Sequence, residues 1–154
     1  YYAWGEVKTK SEYTKDNSKT RGKSMSDISG KSKYDVARSK WGGSWRLPTK
    51  EEFSELIDKC KWQWTTQNGK KGYKVTGPNG NSIFLPFTGY IDDITSNERG
   101  TDGYYWGKSL DLTNEYNSTA RYFKVYITND NRGNGYSSNE FRYYGLTVRP
   151  VTIH

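Results

Sequence analysis

The sequence holds one cysteine and one histidine, Cys60 and His154, which bounds its chemistry before any fold is considered. A lone thiol forms no intrachain disulfide and no cysteine metal cluster. Transition-metal hydrolysis needs several imidazole or thiolate ligands, and a Ser–His or Cys–His dyad would have to recruit the last residue of the chain. Carboxylates remain. Asp92-Asp93 is a notable pair, but adjacent acids before a loop read as solvated or calcium-tolerant groups rather than as an acid–base couple. No catalytic residue, metal site or cofactor is expected.

Recognition chemistry is better represented. In the stretch 121–128 side chains alternate between faces if it is a strand. Phe123, Val125 and Ile127 then point to the core, and Tyr122, Lys124, Tyr126 and Thr128 point to solvent or a partner. Tyrosine offers rigid contact area with a hydrogen-bonding tip, and paratopes combine it with Ser, Gly and Asn. The run from Asn129 to Asn139 has that composition. A turn-rich loop would have it too. The expected ligand-binding residues are Lys108, Asp111, Tyr116, Tyr122, Lys124, Tyr126, Asp130, Arg132, Asn134, Tyr136, Asn139, Phe141 and Tyr144.

A chain of 154 residues fits one domain. Only 32% of it is apolar and aromatics supply half of that, at 16%, so Trp and Tyr rings must do much of the packing. The net charge of +7 lies in residues 1–50, which hold twelve Lys/Arg against five Asp/Glu. From Lys8 to Lys33, where that excess gathers, Tyr13 is the one aromatic and no nucleic-acid motif appears, so this part reads as a solvated loop and no nucleic-acid partner is expected. No apolar run approaches a membrane span. The chain opens at Tyr1 without Met, so it is expected to be a fragment, with any signal peptide or membrane anchor outside it.

The elements that must position these residues follow from pattern. Residues 1–6 read as a short aromatic strand, and residues 34–40 as a short helix stopped by Trp41-Gly42-Gly43. Thr49 and Glu52 form a capping box. Phe53, Leu56, Ile57 and Cys60 then recur at helical spacing over about three turns, with Cys60 read as a small buried hydrophobe. Strands are expected at 62–66, 72–76, 83–85, 104–106, 120–128 and 143–151, with a loop from Gly89 to Gly103. Asn117-Ser118-Thr119 fits the glycosylation acceptor pattern.

Several segments carry a family resemblance. Trp41-Gly42-Gly43-Ser44-Trp45-Arg46-Leu47-Pro48-Thr49, Asn79 to Pro86, Gly103-Tyr104-Tyr105-Trp106 and Arg142 to Val151 together resemble the fibrobacter-type major paralogous domain of gut bacterial surface proteins. That family is related to the C-type-lectin-like fold of the formylglycine-generating-enzyme type. The resemblance implies an α+β domain over residues 1–154, with small antiparallel sheets, two helices and long loops. It implies a secreted, surface-attached or phage-borne setting, and a protein or glycan ligand on another cell, phage or host surface. Some relatives are variable proteins of diversity-generating retroelements, whose C-terminal repeat is mutagenised at adenines. Here that repeat would end at Gly145-Leu146-Thr147-Val148-Arg149, with Thr147 in place of Ser. Asp111, Tyr116, Tyr122, Tyr126, Asp130, Arg132, Asn134, Tyr136, Asn139 and Phe141 are reachable from Asn codons by such mutagenesis; Lys108, Glu115, Lys124 and Glu140 are not. The enzyme that names the fold needs paired cysteines, which this chain lacks, and the calcium-lectin signatures are absent. The expectation is a non-catalytic binding domain. Trp4, Trp41, Trp45, the 53–60 helix and Ile83–Leu85 would be its scaffold. The alternative is a packing module of a bacterial surface protein.

Overall fold

A computed structural model describes residues 1–113, 116–127 and 135–152. Asp130, Arg132 and Asn134, expected to bind ligand, lie outside the described residues, as do Glu115, Thr128 and His154. Helices α1 (Val36–Trp41) and α2 (Lys50–Lys59) precede β1 (Lys61–Gln67), β2 (Lys70–Thr76), β3 (Ser82–Pro86), β4 (Tyr90–Asp92), β5 (Thr95–Asn97), β6 (Asp102–Leu110), β7 (Thr119–Tyr126) and β8 (Gly135–Phe141). The strands pair antiparallel in three sheets, β1-β2-β3, β4-β5 and β6-β7-β8. The chain is a small α+β protein of mostly antiparallel sheet. Among the described residues no helix is long and apolar enough to cross a membrane.

Local sequence explains the helices. Asp35 caps α1 and is fully buried. Its carboxylate accepts from the backbone N–H of Ala37 (2.9 Å), Arg38 (3.3 Å), Gly30 (2.8 Å) and Leu47 (3.1 Å), so one side chain ties helix, preceding turn and following strand edge. Gly42 ends α1 in the left-handed region, φ 65°. For α2 the capping box closes in both directions, Glu52 N–H to Thr49 Oγ1 at 3.0 Å and Thr49 N–H to Glu52 Oε2 at 2.8 Å. Arg46 clamps the same carboxylate with two N–H donors at 2.9 and 2.7 Å.

The sheet β6-β7-β8 is the centre of the molecule and is covered on both faces. Phe123 and Val125 meet α2 and the first sheet: Phe123 stacks on Phe53 at 4.5 Å, and Trp62, Tyr73 and Leu85 complete that core. The opposite face carries Tyr104, Trp106, Ala120 and Tyr122, packed under Trp4, Ile28, Val36, Leu47 and Leu146. The N-terminal stretch supplies much of this second cover. Trp4 donates its indole N–H to the Gly107 carbonyl at 2.9 Å, and its backbone N–H to Arg142 O at 2.8 Å.

Several expectations need correction. Tyr122 is buried, 6% exposed, because residues 1–35 fold over the face that simple alternation assigns to solvent. Ile127, expected in the core, is 42% exposed because β7 ends at Tyr126. The segment Gly89–Gly103 is not a loop but holds the β4-β5 hairpin and the start of β6. Gly89 is required there: at φ 64° a Cβ would sit 2.0 Å from the Asn97 carbonyl oxygen. Residues 143–151 form no strand, only turns and isolated bridges such as Tyr105 to Thr147 and Arg46 to Val151. Residues 1–6 likewise contribute one bridge, Tyr2 to Leu146. Residues 135–141, read as part of a loop, are β8. Trp41 is exposed rather than scaffold, and Cys60 is half-buried at the end of α2.

Two stability outcomes follow. Asp35→Ala leaves several buried N–H donors without an acceptor and is expected to cost about 3 kcal/mol in urea unfolding. The Arg46 hydrogen bonds hold the Glu52 carboxyl below its ordinary value of 4.5 against the opposing pull of burial. A carboxyl lowered in the fold contributes fully above its unfolded value and loses that contribution as pH falls through the folded one. Glu52→Gln is therefore expected to lower stability at neutral pH and to flatten the loss of stability below about pH 4.5, read from melting temperature against pH.

Candidate functional site

The register of the central sheet sets which side chains share a face. Asp102, Tyr104 and Trp106 of β6 lie opposite Tyr126, Lys124 and Tyr122 of β7, and Tyr136, Ser138 and Glu140 of β8 lie opposite Lys124, Tyr122 and Ala120. This face is roofed near Trp106 and Ala120 and opens toward Tyr126 and Tyr136. From the roofed end a chain of rings runs outward. Tyr122 meets Tyr104 at 5.5 Å, Tyr104 meets Tyr90 at 5.0 Å, and Tyr90 stacks on Tyr144 at 5.4 Å. Tyr144 then contacts Tyr143 at 5.1 Å and Phe141 at 5.7 Å, and those two stack on each other at 5.3 Å. A second pair, Tyr126 and Tyr136, stands 6.0 Å apart at the open edge, where Tyr136 is 44% exposed.

Three charges inside this belt, Lys124, Glu98 and Asp102, are paired with one another. Lys124 reaches Glu98 and Asp102, each at 3.2 Å, and lies 4.9 Å over the Tyr104 ring. The Tyr104 hydroxyl donates a very short hydrogen bond to Glu98. Burial, then the Glu98 carboxylate, hold the Tyr104 hydroxyl far above its usual range, and burial does the same for Tyr122 and Tyr144. All three remain protonated at any physiological pH. They are donors and contact surfaces, not bases. Glu140 is pushed up by burial, with Asp92 adding to the rise, while its own link to the Phe141 N–H pulls the other way.

The expected binding residues divide by these contacts. Tyr126, Tyr136, Phe141 and Tyr144 belong to the belt and its edge. Tyr116 is 75% exposed and flanks a cavity beside Phe141 and Tyr143. The others are committed to the fold. Lys108 pairs with Asp27 at 2.7 Å, fastening β6 to the N-terminal segment. Asp111 accepts from the Thr113 N–H at 3.0 Å, its hydroxyl at 2.6 Å and the Thr119 hydroxyl at 3.2 Å, closing a turn. Lys124 is ion-paired, and Tyr122 is core. Asn139 alternates with Tyr136, Ser138 and Glu140 on β8, the strand packed by α2, and its Oδ1 is buried without a hydrogen-bond partner.

Sequence reasoning missed Tyr90, Tyr104, Tyr143 and Arg142. Tyr90 lay in a segment read as loop, and Tyr143 in one read as strand. Their aromatic type was the available signal, but not their convergence. Asp93, one of the two adjacent acids, takes φ 57° and exchanges backbone hydrogen bonds with Tyr13 at 2.8 and 3.0 Å. Among the described residues no three His, Cys, Asp or Glu side chains converge as a metal site.

The two tyrosines separate fold from surface. Tyr122→Ala is expected to cost about 3 kcal/mol by cavity formation, and Tyr136→Ala about 0.5 kcal/mol as a surface change, both measured by urea unfolding. Comparison with family models, with curated proteins and with solved structures finds no match to this chain.

Proposed function

We propose that the chain is a non-catalytic binding domain whose contact surface is the outer end of the aromatic belt: Tyr126 and Tyr136 at the sheet edge, and Tyr116, Phe141, Tyr143 and Tyr144 at the corner after β8. The observation that carries this reading is the continuity of the rings, from buried Tyr122 and Tyr104 to exposed Phe141. Such rings present large area at low conformational cost, because their inner neighbours already fix them. Exposed aromatic anchors ringed by polar groups are the residues that dominate binding energy in protein interfaces.

The finer fold belongs to the same proposal. We take the domain to be C-type-lectin-like and related to the fibrobacter-type major paralogous domain, on the strength of the Trp41–Thr49, Gly103–Trp106 and Arg142–Val151 segments. With that goes an extracellular, cell-surface or phage setting, a protein or glycan ligand, and no cofactor. If a retroelement diversifies the C-terminal segment, useful variation falls at Tyr116, Tyr126, Tyr136 and Phe141. Tyr122 and Asp111 are poor positions, because the fold consumes their side chains.

Screening the purified domain on an array of surface proteins and glycans tests the reading. Phe141→Ala and Tyr136→Ala are expected to weaken any ligand found by about tenfold or more while unfolding near the wild-type midpoint. Retention of full affinity by both variants, or binding to nothing on the array, counts against it.

A further inference from the structure

Beside the aromatic corner lies a cavity of about 430 Å³, walled by Lys15 and Arg21 from the N-terminal stretch and by Tyr116, Phe141, Arg142 and Tyr143 from the C-terminal part. Its floor is unusual. The Arg142 side chain is buried, with the residue 1% exposed, and among the described residues no carboxylate is bonded to it. One guanidinium nitrogen, Nη1, donates to the Lys23 carbonyl at 2.9 Å and to the Asn117 carbonyl at 2.8 Å. The group rests 5.0 Å over the Trp4 ring. Nε and Nη2 are sealed from solvent and have no partner among the described residues. A buried cation without a counter-charge is costly, and desolvation pulls this guanidinium down to about 10.

Among the described residues no neighbouring charge is free to neutralise it. Of these, Glu6 is the carboxylate whose charge acts on Arg142 among the described residues, yet Glu6 is engaged by Lys10 Nζ at 3.3 Å and by the Lys19 N–H at 2.9 Å. Asp16 sits 3.4 Å from Arg21 in an exposed, weak pair. Two exposed cations, Lys15 and Arg21, therefore line a cavity together with buried Arg142, beside the rings of Phe141 and Tyr143.

We propose that this cavity is the anchoring subsite of the binding face and takes a carboxylate side chain, Asp or Glu, from an acidic segment of a protein partner. The inference rests on the binding reading above and names the partner's chemistry. Lys15 and Arg21 contact the carboxylate directly. Arg142 acts through its field, since its unpartnered nitrogens are closed to solvent. Tyr143 and Phe141 flank the inserted chain and lower the local dielectric, which strengthens the attraction. The basic excess of residues 1–50 supplies the long-range complement to an acidic partner.

A fluorescein-labelled hexaglutamate peptide at low ionic strength is the probe, with hexaglutamine as the neutral control. Wild type is expected to bind hexaglutamate alone. Lys15→Gln with Arg21→Gln is expected to weaken it by about tenfold or more, whereas Lys70→Gln with Lys71→Gln, the same charge change at the start of β2, leaves it within about twofold. Tyr143→Ala weakens it at constant net charge. Arg142→Met, if it folds, does the same; if it does not fold, the surface pair and Tyr143→Ala decide. Equal loss in the Lys70/Lys71 control overturns the pocket, since bulk charge would then explain the binding. Preference for an oligogalacturonate over hexaglutamate overturns the peptide partner. Failure of hexaglutamate to bind, with array ligands still sensitive to Tyr136→Ala, overturns this subsite and leaves the wider binding face standing.

Discussion

Burial of strand β7 on both of its faces is the constraint to which the rest of the molecule answers. Phe123 and Val125 need α2 and the first sheet on one side, and Ala120 and Tyr122 need the N-terminal stretch on the other. The two faces are both aromatic but not interchangeable. A slip of one residue would exchange Tyr122 with Phe123, moving a phenol into a nest of Phe53, Trp62 and Tyr73 rings. Each side supplies acceptors for its own phenols: Glu98 accepts from Tyr104 on the even face, and the Tyr126 and Pro86 carbonyls accept from Tyr73 and Tyr105 in the other core. Packing of a distinct set of rings on each side fixes the register.

The same constraint explains how a chain with a mean hydropathy of −1.05 closes two cores. Where aliphatic residues are scarce, rings fill volume and buried polar groups serve the backbone. Asp35 gathers four N–H groups from three segments, Thr20 bonds the Trp4 carbonyl at 2.9 Å, and Arg142 takes two carbonyls while lying on Trp4. Each of these holds part of residues 1–35 in place without regular secondary structure. The long irregular excursion is structural cover, and its lysines other than Lys10, which is held by Glu6, are exposed because its few apolar and neutral side chains are turned inward.

This also marks how far the sequence could be read. Elements with local causes were legible: the Thr49–Glu52 box and the short helix before Gly42 both depend on neighbours within a few residues. Faces with distant causes were not. Alternation in 119–126 gave two sides correctly, but whether the second side meets water depends on residues about a hundred positions away. The same gap accounts for the divided site. Lys108, Asp111 and Lys124 have the right chemistry for binding, yet each is spent on Asp27, Thr113 or Glu98. Tyr126, Tyr136 and Phe141 emerge at the surface because strand ends and the corner after β8 are not roofed.

Burial of Tyr122 therefore changes what the aromatic residues are for without removing their connection to the surface. A ring at the surface with nothing behind it loses rotamer freedom when it binds, and that loss weakens association. Here Tyr144 is stacked on Tyr90, which is packed on Tyr104, which is held by Glu98 and by Tyr122 beneath it. The freedom is surrendered during folding rather than during binding. The inner rings thus act on recognition at one remove, by fixing where Phe141, Tyr143 and Tyr144 stand. A surface assembled this way tolerates exchange of its outermost side chains far better than exchange of the rings below, because only the latter are shared with the core.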